Sequence, residues 1–269
     1  MKSPSASIIV TCFNLGQYIE KALVSAFASR NCDFEVIVVD DGSTDAQTLA
    51  ILEKIAVQYN EQPLTLIKQP NMGLPAARNV GIKKAVGEYI LPLDADNMIR
   101  PDYLCKAINV LQNNPDVGVV HANAQYFGNK SGPWIFKEFD IHELMLGNKI
   151  DACSVFRRKV WEDCGGYDEA LFRIGYEDWD FWLSAYECGW KFYWLNEILF
   201  DYCVRDDSMV QKCALPENYT KLVSSIREKH SRLYKKYWPE EFLSLKTLSG
   251  IRKMKWLNYI GLWCHHKKR

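Results

Sequence analysis

The chain has 269 residues, 48% hydrophobic and 25% charged, with Lys+Arg and Asp+Glu balanced at 33 each. That length suits one large domain, or one domain with an appendage, and the apolar share is enough for a sizeable core. The charge balance excludes the global basic signature of a nucleic-acid binder, and no apolar run reaches membrane-spanning length.

Ser7–Thr11 reads as a strand that starts almost at the first residue, so no signal peptide is expected. Apolar residues at helical spacing (Ile19, Ala22, Leu23, Ala26, Phe27) predict a helix over Tyr18 to Ser29. Phe34 to Val39 is a second, β-branched strand that runs into Asp40-Asp41-Gly42-Ser43-Thr44-Asp45. Thr44 with Gln47 has capping-box spacing for the helix that follows. A third strand, Leu64 to Ile67, precedes a helix from Ala76 to Ala85. This alternation predicts a mainly parallel sheet with crossover helices.

The apolar run Tyr89 to Leu93 is read as a buried strand ending in Asp94-Ala95-Asp96. Side chains alternate along a strand, so Asp94 and Asp96 project to one side, beyond the strand's carboxyl end where open α/β sheets place ligands. Two close carboxylates need a cation, a proton or donors to compensate them, and a divalent metal carrying a diphosphate meets that need. An acidic loop capping the helix near Pro101 fits the spacing equally well.

Further on, the sequence predicts a helix over Asp102 to Asn113 and a strand from Val117 towards Phe127. A weakly patterned stretch follows from Gly128 to Lys149, then a short helix from Arg158 and a turn at Cys164-Gly165-Gly166-Tyr167-Asp168. Tyr176-Glu177-Asp178 opens a helix through Cys188, with carboxylates at the positive end of its dipole, and two strands, Lys191–Leu195 and Ile198–Val204, come next. From Lys229 onwards, lysines and arginines recur against only Glu240 and Glu241, among Trp238, Trp256 and Trp263. Residues 216–269 are therefore read as a basic helical extension. It either caps the preceding domain or lies on an anionic membrane surface. Nine cysteines without CxxC pairs argue for reduced thiols in the cytoplasm, and Cys264-His265-His266 is too sparse for a metal site.

Six stretches in order resemble the family 2 glycosyltransferases of the GT-A fold. They are Ser7 to Asn14, Val36 to Asp45, Gly73 to Gly81, Leu93 to Asp96, Cys164 to Asp168, and Glu177-Asp178-Trp179-Asp180. The resemblance covers roughly residues 5 to 210. It implies an α/β catalytic domain over residues 1–215, with a nucleotide-binding half (1–100) and an acceptor-binding half (101–215). It also implies inverting transfer from a nucleotide sugar to a glycan or lipid-linked hydroxyl, assisted by Mn²⁺ or Mg²⁺.

By this resemblance Thr11 lies near the base, and Asp41 accepts from a ring N–H that uracil and thymine possess and cytosine lacks. Arg78 reaches the base or the phosphates, Asp94 the ribose, and Asp96 the metal. Asn14, Glu177 and Arg205 join the nucleotide-sugar set, and Asp178 is the general base. Glu177 alone also reads as a dipole or scaffold partner. One departure stands out: the family's Tyr-Arg-x-His or Tyr-Arg-x-Arg run is here Tyr202-Cys203-Val204-Arg205, so Cys203 replaces the first cation.

Two other classes share parts of this pattern. A sugar-1-phosphate nucleotidyltransferase calls for a Gly-rich cationic loop after the first strand, whereas this chain has Thr11 to Gly16 and no cation before Lys21. A non-catalytic binder is expected to lose Asp96 or Asp178, and both are present.

Overall fold

The computed structural model describes residues 4–171, 175–206, 208 and 216–238. The chain divides into two compact units, 1–223 and 224–269. Helix α8 (Pro216–Lys229) contains that division, and α9 (Ser231–Tyr237) belongs to the second unit, where Arg227 lies 5.6 Å from the Tyr234 ring. The remainder of the basic tail, with Cys264-His265-His266, lies outside the described residues.

Among the described residues of the first unit, nine strands form one sheet in the order β3-β2-β1-β4-β8-β6-β9-β5, with β7 paired to β6. The first half is parallel: β1 (Ala6–Cys12) lies between β2 (Phe34–Asp40) and β4 (Tyr89–Asp94), and β3 (Leu64–Lys68) adds to β2. Both faces of this block are covered by helices, which is why its strands read as unbroken β-branched runs. Ile8 and Val10 enter one core face with Val36, Val38, Leu91 and Leu93. Ile9 and Val39 face helix α3 (Leu74–Lys84) so closely that a Cβ on Gly81 would sit 2.4 Å from Ile9 Cγ2.

Past β4 the sheet becomes mixed. β8 (Val155–Arg157) is antiparallel to both β4 and β6 (Val117–Gly128), and β5 (Met98–Ile99) is antiparallel to β9 (Lys191–Val204). β6 and β9 run parallel to each other. The two strands expected over 191–204 are one strand, with a register shift between Ala122/Leu195 and Asn123/Ile198. The interruption read from Asn196-Glu197 is thus an irregularity in the strand, where Asn123 Nδ2 donates to Asn196 Oδ1.

The helices follow their patterns with local shifts. Helix α1 spans Gly16–Phe27 and α4 spans Tyr103–Asn113. Helix α2 (Ala46–Gln58) is capped by Asp45, whose carboxylate accepts from the Thr48 N–H at 2.7 Å, so the expected Thr44 cap is one residue early. The weakly patterned stretch holds two short elements, β7 (Gly132–Trp134) and α5 (Ile141–Leu146), followed after β8 by α6 (Arg158–Cys164). Helix α7 (Glu177–Glu187) starts after Tyr176, which adopts a left-handed φ of 59°.

Candidate active site

The register of the parallel block brings the first group of predicted residues to one edge. Thr11 pairs with Val39 on one side and with Asp94 on the other, and Cys12 pairs with Asp40. The carboxyl ends of β1, β2 and β4 are therefore level, and the residues just beyond them share a rim.

Most of the rim is fixed by its own hydrogen bonds. Asp40 accepts from the Ser43 N–H at 2.9 Å, and Ser43 Oγ accepts from the Asn14 N–H at 2.9 Å. Asn14, at φ 54°, uses Oδ1 to accept from the Thr44 and Asp45 amides at 2.8 and 3.2 Å. Its carboxamide thus ties the β1–α1 loop to the β2–α2 loop. Asp41 is buried and bound by the β3–α3 loop: Oδ1 accepts from Gln69 Nε2 (2.7 Å) and the Met72 N–H (2.9 Å), and Oδ2 from the Gly73 N–H (2.8 Å). Gly73, at φ 90°, supplies the backbone turn that presents this amide.

Arg78 joins the two halves of the domain. It lies on α3, 1% exposed, and its guanidinium donates through Nη2 to Asp94 Oδ1 at 2.8 Å and through Nη1 to Glu177 Oε1. Its Nε is buried without a hydrogen-bond partner among the described residues, and the Tyr167 ring lies 5.6 Å away. Burial opposes the charge, yet Asp94 and Glu177 hold this guanidinium well above its ordinary value. Sequence reasoning sent Arg78 towards base or phosphates; in the structure its two Nη groups are committed to carboxylates from β4 and α7. Thr11 Oγ1 stands 3.5 Å from the same Asp94 Oδ1.

Asp96 follows the carboxyl end of β4. Its Oδ2 accepts from Arg205 Nε at 2.8 Å, and the Arg205 guanidinium lies 5.2 Å from the Tyr18 ring. Burial, then Asp94, push the Asp96 carboxyl up, while Arg205 opposes the shift. Asn97 Oδ1 accepts from the Cys203 N–H at 2.9 Å, which fixes β9, and Arg205 just past it, against this turn. Cys203 is buried. A groove of about 360 Å³ lined by Tyr18, Phe127, Asn129, Cys203 and Arg205 opens beside the pair.

Asp178 occupies the first turn of α7, next to Glu177. Its Oδ1 accepts from the Trp179 N–H at 2.8 Å and its Oδ2 from Asn148 Nδ2 at 2.7 Å. Burial, with Glu177 adding, pushes its carboxyl up to about 8. Asp151, which sequence reasoning missed, is pushed up to about 7 by burial, with Asp94 and Asp96 adding and Arg78 opposing. Asp94, Asp96, Asp151 and Asp178 all bear on the Tyr202 hydroxyl, so the two ends of the predicted site meet one electrostatic neighbourhood. Neither Asp151 nor Asn148 carries a motif, because each is a lone polar residue in a stretch without periodicity.

The residues suit a metal that arrives with phosphate ligands. Among the described residues no three His, Cys, Asp or Glu side chains are placed to hold an ion by themselves. Asp96 offers a carboxylate among other carboxylates, and Mg²⁺ or Mn²⁺ bound by one or two carboxylates is completed by phosphate and water.

Comparison with known proteins sets this arrangement in context. Residues 7–165 match the profile described as Glycosyl transferase family 2, and residues 89–264 match Glycosyl transferase family group 2. An uncharacterized glycosyltransferase of Nostoc is 36% identical over 183 residues, covering 62% of this chain and 55% of that protein. Chondroitin synthase of Escherichia coli is 28% identical over 261 residues, covering 94% of this chain and 36% of that protein. The chain thus spans about half or less of the length of these curated relatives. In fold it is similar to S. aureus TarS in complex with UDP-GlcNAc (TM-score 0.65, 23% identity, 90% of this chain and 76% of that one). It is similar as well to the mannosyltransferase PcManGT of Pyrobaculum calidifontis in complex with GDP-Man and Mn²⁺ (TM-score 0.61, 17% identity, 97% and 84%).

Proposed function

The chain belongs to the family 2 glycosyltransferases, and from that premise we propose that it moves a sugar, with inversion, from a UDP- or dTDP-sugar to a hydroxyl of a glycan or lipid-linked acceptor. The observation that carries this reading is the Arg78 clamp. It joins Asp94, beside the proposed metal residue, to Glu177, beside the proposed base, through a part-buried and a buried ion pair.

In this reading Thr11, Asn14 and Asp41 form the base-binding rim, with Asn14 acting through the loop it holds. Asp41's acceptor is a partner for the ring N–H of uracil or thymine. Asp94 takes the ribose, with Arg78 and Glu177 fixing its position, and Arg205 takes the diphosphate. Asp178 accepts the acceptor's proton as the acceptor oxygen bonds to the anomeric carbon and the bond to the diphosphate breaks on the opposite side. Asp96 would hold a divalent metal, Mn²⁺ or Mg²⁺, whose charge offsets that of the departing diphosphate. UDP-GlcNAc in TarS and GDP-Man with Mn²⁺ in PcManGT support a nucleotide-sugar donor and a divalent ion.

We place the enzyme in the cytoplasm, with its basic C-terminal segment serving either as a helical cap or as a contact to the inner membrane face. No helix among the described residues is long and apolar enough to cross a membrane. The test is release of nucleoside diphosphate from UDP-glucose, UDP-GlcNAc, UDP-glucuronate, dTDP-glucose and GDP-mannose, with Mn²⁺ and with EDTA. Turnover of a uridine or thymidine donor that EDTA abolishes is expected. Turnover of GDP-mannose alone, or turnover that ignores EDTA, overturns the donor or the metal assignment respectively.

A further inference from the structure

We propose that Asn148 is a positioning residue for the base, its side-chain amide holding the Asp178 carboxylate in the orientation that meets the acceptor hydroxyl. The inference rests on the reading of Asp178 given above and adds a residue from outside every motif.

The geometry fixes which way the amide points. Asn148 Oδ1 accepts from the Ile150 N–H at 3.2 Å, and a backbone N–H can only donate. The atom facing Asp178 Oδ2 at 2.7 Å is therefore the Nδ2 donor. The other oxygen of Asp178 is bound by the Trp179 N–H at 2.8 Å, so one donor sits on each oxygen. Rotation of the carboxylate would break one bond or both.

Asn148 is itself held in place from both sides. Trp179 Nε1 donates to the Leu144 carbonyl at 2.6 Å and Trp182 Nε1 to the Ile150 carbonyl at 3.1 Å. Both indoles are fully buried on α7, the helix that carries Asp178. The segment from Leu144 to Ile150 is thus stitched to α7 at three successive points, and the middle stitch is the one on the carboxylate. A purely structural tether needs only the two outer bonds.

Charge explains why a neutral donor suits this position. Glu177 on α7 and Asp151 beyond α5 both oppose ionisation of Asp178, and the Tyr167 and Tyr202 hydroxyls also lie within its reach. Arg78 on α3 favours ionisation, but its two Nη groups are engaged with Asp94 and Glu177. An amide N–H favours the ionised form without a further charge that the site would have to neutralise.

The experiment is a titration of the full chain carrying ¹³C-labelled aspartate, with Asp178→Asn identifying the resonance. In Asn148→Ala the Asp178 midpoint is expected to rise by about one pH unit, the effect of losing one hydrogen bond to a charged group. Asn148→Asp keeps the acceptor for Ile150 and turns the donor into a second carboxylate, so it is expected to raise the midpoint further even if Asn148→Ala fails to fold. Diphosphate release from the member of the panel above that the wild type consumes should fall about tenfold at neutral pH in Asn148→Ala and recover as pH rises. UDP affinity should be unchanged. An unmoved midpoint, or a loss of turnover equal at every pH, overturns the inference. Full turnover in Asp178→Asn would instead sink the base assignment, and the shift that the Asn148 variants cause at Asp178 would still stand as measured.

Discussion

At the scale of single residues the site runs on carboxylates kept in unequal states. Asp178 is pushed up to about 8 by burial and by Glu177, so at neutral pH much of it carries a proton. A general base works when deprotonated, so turnover is expected to rise with pH through that value and to level off above it. A pH–rate profile that falls over this range would remove Asp178 from the role. Asp178→Asn keeps the size of the side chain but cannot accept the proton. We expect turnover to drop by about a hundredfold to ten-thousandfold, with UDP affinity by calorimetry nearly unchanged. Equal loss of both would mean that the carboxylate serves the fold.

The residues in these roles were legible in unequal measure. Asp94 and Asp96 stand out by their alternate spacing at a strand end, and Asp178 through the likeness of Glu177-Asp178-Trp179-Asp180 to the family's run. Arg78 was visible as a candidate position through the resemblance, but its partners were not, because Glu177 is 99 residues away in sequence. Asp45 was hidden behind Thr44: both are good caps, and only the turn built on Asn14 decides between them.

At the scale of elements, the parallel block follows from its residues because strands buried on both faces have to be continuously apolar. The second half resisted reading for the opposite reason. β7 and α5 are short and lack a full period, and β9 contains a polar Asn-Glu pair that looks like a turn when its neighbour β6 is unknown. What unites the halves is the bridge from α3 to β4 and α7. Arg78→Leu would leave Asp94 and Glu177 facing each other without their cation. Removing one member of such a buried set costs about 3–5 kcal/mol. Urea unfolding of the variant should show a loss of that size; a change below about 1 kcal/mol would mean the clamp is dispensable, as exposed pairs generally are.

At the scale of the whole molecule, overall charge is neutral while the tail is basic, so attraction to an anionic surface is expected from the tail. We expect the full chain to co-sediment with vesicles containing phosphatidylserine at low salt and to be released as salt rises, since such attraction is screened over roughly 10 Å at 0.1 M. Equal partition to neutral and anionic vesicles would leave the segment as a cap.

Arg205 already rests on Asp96. On the proposed function, loading the donor would be a trade of counterions: Arg205 would leave the carboxylate for the diphosphate, and Asp96 would then be free to hold the divalent ion. Metal without nucleotide would then compete against a tethered rival, and nucleotide without metal would have to draw Arg205 away unaided. Manganese titrations followed by electron paramagnetic resonance should thus show Arg205→Ala gripping the bare ion more tightly than the native protein, while its hold on UDP loosens. The two cargoes would board together in the native enzyme and separately in the variant.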